Sequence, residues 1–292
     1  ILRMYRIRMN RKNKLFKKCF FWSQKFCLPL VLIFLFPILI CYLIGKSLTL
    51  VEVEKISNTN FFTRTIFEII PDNSIATYIV LYLLIFTSLL MIFRKNNAER
   101  IFNDGHSVYL HNCYKRLWIA ANILGYRKLQ LIGVSIPMQF ELIINGVFSE
   151  FISESSVVQY DEFQGEIIVE YPIENKKNKV VNLLVCDTYD IPLEKLAADY
   201  LENTTVKISS QRKYSGNRYN NPKLVSTVRE ETQKIVNAYK EVNLFMTTNP
   251  LNTQKIVGTS FLTLDRSSFD RVSVIQMDET KIYKDQFIIY KR

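Results

Sequence analysis

The stretch EVNLFMTTNPLNTQKIVG, Glu241 to Gly258, decides the fold because its pattern changes midway. It begins as a short apolar run typical of a buried strand, breaks at TTNP, and continues with helical spacing. Proline is favoured in the first turn of a helix, and a polar residue just before it is a natural cap. The stretch therefore predicts a strand, a capped turn and a helix that begins at Pro250.

Two other segments share this design, Lys128 to Phe148 and Val180 to Leu201. In each, an apolar strand leads to a polar residue, a proline and an amphipathic run, so Pro137 and Pro192 should also mark helix starts. Strands that alternate with helices predict a mainly parallel sheet and a Rossmann-like α/β domain. Right-handed crossovers should place the three turns along one edge, where such sheets bind ligands.

Other segments fill this domain. Four of them have the composition and alternation of strands, namely GEIIVEYPI, NTTVKISSQ, DRVSVIQMD and DQFIIYKR. NPKLVSTVREETQKIVNAYK predicts a strong helix that Asn221 caps. The segment from Val157 to Glu174 resembles a β-hairpin.

Two uncharged apolar segments, Phe26 to Gly45 and Asn73 to Phe93, lie near the N-terminus. Each has about 20 residues, enough for a helix to cross the hydrocarbon layer of a bilayer. A secretory signal peptide would have a shorter apolar core and a small-residue cleavage site. We therefore expect a transmembrane helical hairpin, followed by the α/β domain.

The charge is concentrated beside these segments. Of the net +11, residues 1–100 carry +10, and residues 1–25 hold nine Lys or Arg and no acid. The positive-inside rule then places both termini and the main domain in the cytoplasm, with the chain crossing the membrane twice and the loop between the two spans outside. Because residues 101–292 carry only +1, we expect no binding to polymeric nucleic acid.

These patterns divide the chain into three parts. Residues 1–100 form the basic segment and the two-helix membrane domain, residues 101–127 a helical connector that stops at Gly125, and residues 128–292 the cytoplasmic α/β domain.

The turns of the α/β domain supply candidate ligand-binding residues. A helix start offers free N–H groups and a partial positive charge, which suit a nucleotide phosphate. Arginine can grip phosphate with two bonds and tyrosine can stack on a base. The candidates are Ser135, Asp187, Thr188, Arg212, Lys213, Arg218, Tyr219, Thr247, Thr248, Asn249, Asn252 and Lys255. Ordinary capping and a solvated loop are the competing interpretations.

Catalytic signatures are missing from the sequence. It has only two histidines and no phosphate-loop, zinc-protease or serine-hydrolase motif. Its five cysteines form no CxxC pair and fit small buried hydrophobes. We expect no enzymatic activity, no cofactor and no metal site.

VNLFMTTNPLNTQKIVG resembles the strand–turn–helix of SAVED domains, and NLLVCDTYDIP is similar to an earlier strand of such domains. SAVED domains are related to CARF domains, which are Rossmann-like sensors of cyclic or linear oligonucleotides. Some are fused to membrane helices as effectors of cyclic-oligonucleotide antiphage systems of the CBASS type. The resemblance implies that Thr247, Thr248, Asn249, Asp187 and Thr188 contact a cyclic oligonucleotide. It further implies that ligand-driven homo-oligomers disrupt the bacterial inner membrane.

Two alternatives stay open at this stage. One is a membrane-anchored scaffold whose cytoplasmic domain binds a protein partner and no nucleotide. The other is a membrane-tethered enzyme whose motif is not recognised.

Overall fold

Two long, largely apolar helices come first in the structure. The structure is a computed structural model, which describes residues 15–44, 74–104, 108–154, 160–175, 178–211, 218–262 and 269–292. The first helical run contains a π-helical segment, Ser23–Cys27, followed by α1, Leu28–Ile44. The second helix, α2, is Ser74–Ala98. Both are long and apolar enough to cross a membrane. The predicted outer loop lies outside the described residues.

The connector is not one continuous helix. After α2 come the short strand β1, Ile101–Phe102, and the helix α3, Tyr114–Asn122. Gly125 ends this part of the chain with a φ of +81°, and a Cβ there would lie 2.6 Å from the Cα of Arg94. Asn97 Nδ2 on α2 also donates to the Leu124 carbonyl at 2.9 Å. The end of α3 is therefore fixed against α2.

By its internal contacts the chain forms two units, Ile1–Val108 with Lys115–Lys128, and Tyr109–Tyr114 with Leu129–Arg292. The second unit contains a six-stranded sheet of order β4-β6-β5-β7-β8-β9. Its strands are β4 (Ile167–Ile173), β5 (Val180–Cys186), β6 (Thr204–Ser210), β7 (Glu241–Met246), β8 (Arg271–Met277) and β9 (Tyr283–Lys291). The four central strands are parallel, and β4 and β9 are antiparallel edges.

Helices cover this sheet because its central strands are apolar on both faces. All residues from Val181 to Cys186 are buried. The helices α4 (Ile136–Ile144), α6 (Pro222–Val236) and α7 (Pro250–Ile256) pack on one another and on strands. One face of the sheet carries an apolar cluster of Leu184, Cys186, Ile191, Leu196, Phe245, Ile275 and Tyr283.

A row of polar residues crosses the same face. The strand register aligns Thr205, Asn182, Asn243 and Ser273 on β6, β5, β7 and β8. All four are buried, and Asn182 Nδ2 donates to Thr205 Oγ1 at 3.1 Å. Asn243 Nδ2 donates in turn to Asn182 Oδ1 at 3.2 Å. We call these four residues the polar row.

Three details of the predicted fold are wrong, and the first two concern how strands pair. Lys128–Gln130 (β2) does not join the six-stranded sheet, because it belongs to a small separate sheet with Glu150–Ile152 (β3). Residues 157–159 of the predicted hairpin lie outside the described residues, and its described part, residues 160–174, is not a hairpin: β4 pairs with β6, and Phe163 N donates to the Asn220 carbonyl at 2.8 Å. In both cases the pairing partner is distant in sequence.

Pro192 does not start a regular helix. A single 3₁₀ turn, Leu193–Lys195, follows it, and then a one-turn helix α5, Ala198–Leu201. Between them, Ala197 N donates to the Tyr283 carbonyl at 3.2 Å. Because Leu196 pairs with the start of β9 in this way, the helix cannot continue.

Candidate ligand-binding rim

The carboxyl ends of β5, β6 and β7 lie side by side because these strands are parallel and in register. Asp187 follows β5, Ser210 ends β6, and Thr247 follows β7. The chain after β6 returns to this edge at Arg218–Asn221, where α6 begins. We call this edge, with the starts of α6 and α7, the rim.

Asp187 is at the centre of the rim and is only 3% exposed. Its Oδ2 accepts from Asn252 Nδ2 at 2.8 Å, and its Oδ1 accepts from Ser210 Oγ at 3.2 Å. Asn221 Nδ2 lies 3.4 Å from the same Oδ1. Side chains from three elements therefore lie within hydrogen-bonding distance of the oxygens of this buried carboxyl group.

Asn221 and Asn252 join the two helix starts. The Asn221 side chain accepts from Leu224 N at 3.0 Å and so caps α6, as the sequence predicted. The main-chain N–H of Asn221 donates to Asn252 Oδ1 at 3.0 Å. Asn252 Nδ2 also donates to the Tyr219 carbonyl at 2.9 Å. The loop before α6 and the start of α7 are thus held as one network.

The cap of α7 is occupied by its own chain. Asn249 Oδ1 accepts from Asn252 N at 2.9 Å, while Asn249 Nδ2 donates to the Tyr219 carbonyl at 2.6 Å. Thr248 Oγ1 is 2.7 Å from Thr253 Oγ1. Thr248, Asn249 and Asn252, which we predicted as ligand contacts, are buried and serve the turn itself.

Thr188 and Thr247 join β5 to β7 at the edge. Thr188 N donates to the Thr247 carbonyl at 2.8 Å, and Thr247 Oγ1 donates to the Tyr189 carbonyl at 2.6 Å. Both threonines are half-buried.

An outer layer of the rim carries the charge and the aromatic ring. Arg218 is exposed, and Tyr219 and Lys255 are half-buried. Lys255 Nζ donates to Asn220 Oδ1 at 2.8 Å, and the ring of Tyr219 is 6.0 Å from that of Phe163. Arg212 and Lys213 lie outside the described residues. The outer layer of the rim thus contains two cationic side chains and an aromatic ring.

Cys186 lies next to Asp187 in sequence and is buried in the apolar cluster. Burial raises the pKa of this thiol to about 12. The thiol therefore stays protonated at neutral pH. Among the described residues there is also no group of three or more metal-ligating side chains.

Ser135 is not part of the rim. It precedes α4 and lines a cleft with residues of β9, because β2, the strand before it, belongs to the small sheet. Its predicted position beside the other turns is therefore wrong. Sequence reasoning also missed Ser210 and Thr253 as members of the network. Ser210 could have been found, because it is a polar residue at the carboxyl end of its strand, as Asp187 is at the end of β5.

A family model described as the SMODS- and ubiquitin system-associated 2TM effector domain matches residues 11–290. The chain belongs to this family. Membership confirms the predicted combination of two membrane helices with an α/β domain. It also confirms the resemblance to effectors that carry two membrane helices. No curated protein sequence matches the chain.

Solved structures similar to this 2TM effector include the Acinetobacter baumannii Cap4 SAVED/CARF-domain containing receptor with the cyclic trinucleotide 3'3'3'-cAAA. That match has 11% identity and a TM-score of 0.42, and covers 61% of this chain and 43% of that chain. The same receptor with 2'3'3'-cAAA matches with 10% identity and a TM-score of 0.40, covering 66% and 45%. The 2TM effector spans less than half of these receptor chains, and likeness at this level carries no inference about its ligand.

Proposed function

We propose that this 2TM effector acts in an antiphage signalling system, where the rim of its α/β domain binds a cyclic oligonucleotide and its helices carry the output. The observation that carries the proposal is the family match over residues 11–290, which covers both apolar helices and the α/β domain in one chain. An effector needs an input, and the rim is the candidate for it.

The chemistry of the rim suits a nucleotide. Arg218 and Lys255 supply cations that suit phosphate oxygens, and Tyr219 supplies a ring that suits stacking on a base. The Asp187 network beneath them is already hydrogen-bonded, so it holds the surface residues in place. The ligand thus contacts the outer layer, and the buried network positions that layer.

The output follows from assembly. A ligand favours the assembled form only by its differential affinity for that form, which a site shared between two chains would supply. Two helices of one chain cannot enclose a pore, so membrane disruption requires several chains. The proposed antiphage role implies a bacterial inner membrane, and the basic N-terminal segment favours an orientation with both termini and the α/β domain in the cytoplasm. No catalytic step is needed.

The test uses the full chain in dye-loaded liposomes and a panel of cyclic di- and trinucleotides. We expect one member to bind in calorimetry, to increase the particle mass in light scattering and to release the dye. Arg218→Ala and Lys255→Ala should each weaken binding about tenfold or more, as for a lost charge-assisted hydrogen bond. Lys240→Ala is the matched control, because this exposed lysine precedes β7 at the opposite edge of the sheet.

A membrane-anchored scaffold is the second candidate. It is favoured by the internal use of Thr248, Asn249 and Asn252, which leaves the start of α7 occupied. A scaffold would give no heat with any nucleotide and no change in mass. That result would overturn the sensor proposal and leave the membrane anchor intact.

A further inference from the structure

A cleft that shares no residue with the rim lies between the start of α4 and strand β9. Its volume is about 330 Å³, and it is lined by Asn112, Ser135, Pro137, Met138, Glu141 and residues 286–289. Sites for small molecules begin at about this size. Its walls combine apolar side chains with a few polar groups, as such sites do.

Ser135 is the first unusual group in this cleft. It is only 4% exposed, and its side chain makes no cap hydrogen bond to α4. Its main chain is satisfied, because Ser135 N donates to the Leu110 carbonyl at 3.2 Å and its carbonyl accepts from Gln139 N at 2.9 Å. The hydroxyl has no partner among the described residues. The oxygen is not fully sealed from solvent, so it opens into the cleft, where a guest that accepts a hydrogen bond would take the place of water.

Glu141 is the second unusual group. It lies four residues after Pro137, so both are on one side of α4, and helical side chains lean toward the helix start. Glu141 forms no ion pair with a described residue, and burial raises the pKa of its carboxyl. Its charge also contributes to the raised pKa of Tyr114 after the larger effect of burial. Within the described part of the chain, no side chain donates to this half-buried carboxylate.

We propose that the cleft binds a guanine-type base. Guanine presents an amino group, a ring N–H and a carbonyl oxygen in a row. The two donors match the two oxygens of the Glu141 carboxylate, and the neighbouring carbonyl matches the Ser135 hydroxyl. Pro137, Met138 and Phe287 provide apolar walls for the flat ring. Proteins read unpaired bases in this way, by hydrogen bonds to the base edge and by packing on its faces.

Other bases fit the same groups less well. Adenine and cytosine place an unprotonated ring nitrogen next to their amino group, and that lone pair would face the carboxylate. Uracil offers one ring N–H between two carbonyls. The order of donors and acceptors therefore selects guanine, and the selection does not depend on a phosphate or on the proposed function of the rim.

The experiment compares free nucleosides, which lack the phosphate that the rim would bind. Guanosine, inosine and adenosine are titrated into the full chain in nanodiscs and followed by saturation-transfer NMR and calorimetry. Guanosine should bind, inosine about tenfold more weakly because it lacks the amino donor, and adenosine not measurably. Equal binding of guanosine and adenosine, or no binding of guanosine, would overturn the proposal.

Two variants test the assignment of groups. Glu141→Gln should weaken guanosine binding at least tenfold, and Ser135→Ala a few-fold, while Lys240→Ala should leave it unchanged. Thermal unfolding of each variant checks that it folds, and the wild-type nucleoside series decides the question if one does not. Putrescine is the last probe: if it displaces guanosine by binding at Glu141 with higher affinity, the site is a cation site and the proposal is wrong.

Discussion

The starts of α4 and α7 have the same local sequence design and differ in what they leave unpaired. At α7, Asn249 accepts from Asn252 N at 2.9 Å, and the turn is tied into the Asp187 network. At α4, Ser135 has equivalent backbone geometry, with extended φ and ψ of −65° and 149°, but its hydroxyl makes no cap bond. A polar residue before a helix therefore does not reveal whether its side chain caps the helix or is available to a ligand.

The neighbours of each turn cause this difference. At the rim, three parallel strands end together and bring Asp187, Ser210 and Asn221 within hydrogen-bonding distance of one another. At α4, the preceding strand β2 belongs to a small sheet, and the cleft opens beside the edge strand β9. The crowded turn becomes a structural network, and at the edge turn the Ser135 hydroxyl bonds to none of the described residues.

The largest effect is expected from Asn252→Ala in the rim. Asn252 is fully buried, and its loss leaves Asp187 Oδ2 without the amide donor at 2.8 Å and Asn221 N without its acceptor. We expect a loss of roughly 2–4 kcal/mol in the free energy of unfolding. Thermal unfolding of the full chain in detergent measures it. Asn237→Ala, at the exposed end of α6, is the control and should have little effect.

Asn249→Ala should have a smaller effect, because it removes one helix cap. Loss of a capping side chain costs about 1–2 kcal/mol. The variant should lower the melting temperature by less than Asn252→Ala and by more than the corresponding change at α4. A melting temperature equal to that of the wild type would mean that the Asn249 cap does not stabilise α7.

Ser135→Ala should change the free energy of unfolding by no more than ~0.5 kcal/mol, since its side chain bonds to no residue in the described ranges. The same melting experiment applies. A large loss of stability would show that the hydroxyl has a partner in the folded protein, and the contrast between the two helix starts would fail.

The smallest expected effect is a pH-dependent change in melting temperature for the variant Glu141→Gln. Because burial raises the pKa of this carboxyl, the folded state holds its proton to a higher pH than the unfolded state does. Its contribution to stability is therefore present below the ordinary pKa and lost as pH rises through the raised value. Glu141→Gln should match the wild type in melting temperature at acidic pH and exceed it at neutral pH. A wild-type advantage at neutral pH would contradict this sign.

Local signals were enough to predict the membrane helices, β5, β7 and the capped helix α6. Uncharged runs, apolar strands and the Asn221–Pro222 pair each determine their own structure. The same signals failed at Pro192, where pairing of Leu196 and Ala197 with Tyr283 interrupts the helix. They failed at β2 because three residues do not specify which sheet they join.

The predicted site residues show the same limit. Thr247, Asp187 and Asn252 were expected near one another from the parallel topology, and they are brought together. The sequence could not predict the bonds from Asn249 and Asn252 to the Tyr219 carbonyl. These residues lie about 30 positions apart in the chain and meet only because the folded loop before α6 packs on the start of α7. Their binding of a ligand stays a prediction.

The polar row also constrains how the protein can misfold. If one central strand slipped by a single residue, every side chain on it would move to the opposite face. Asn182 would then lose Thr205 and Asn243 and be buried among valines and leucines without partners. Apolar parallel strands alone would tolerate several alignments, so the buried amides penalise every shifted alignment and leave one pairing of the central sheet.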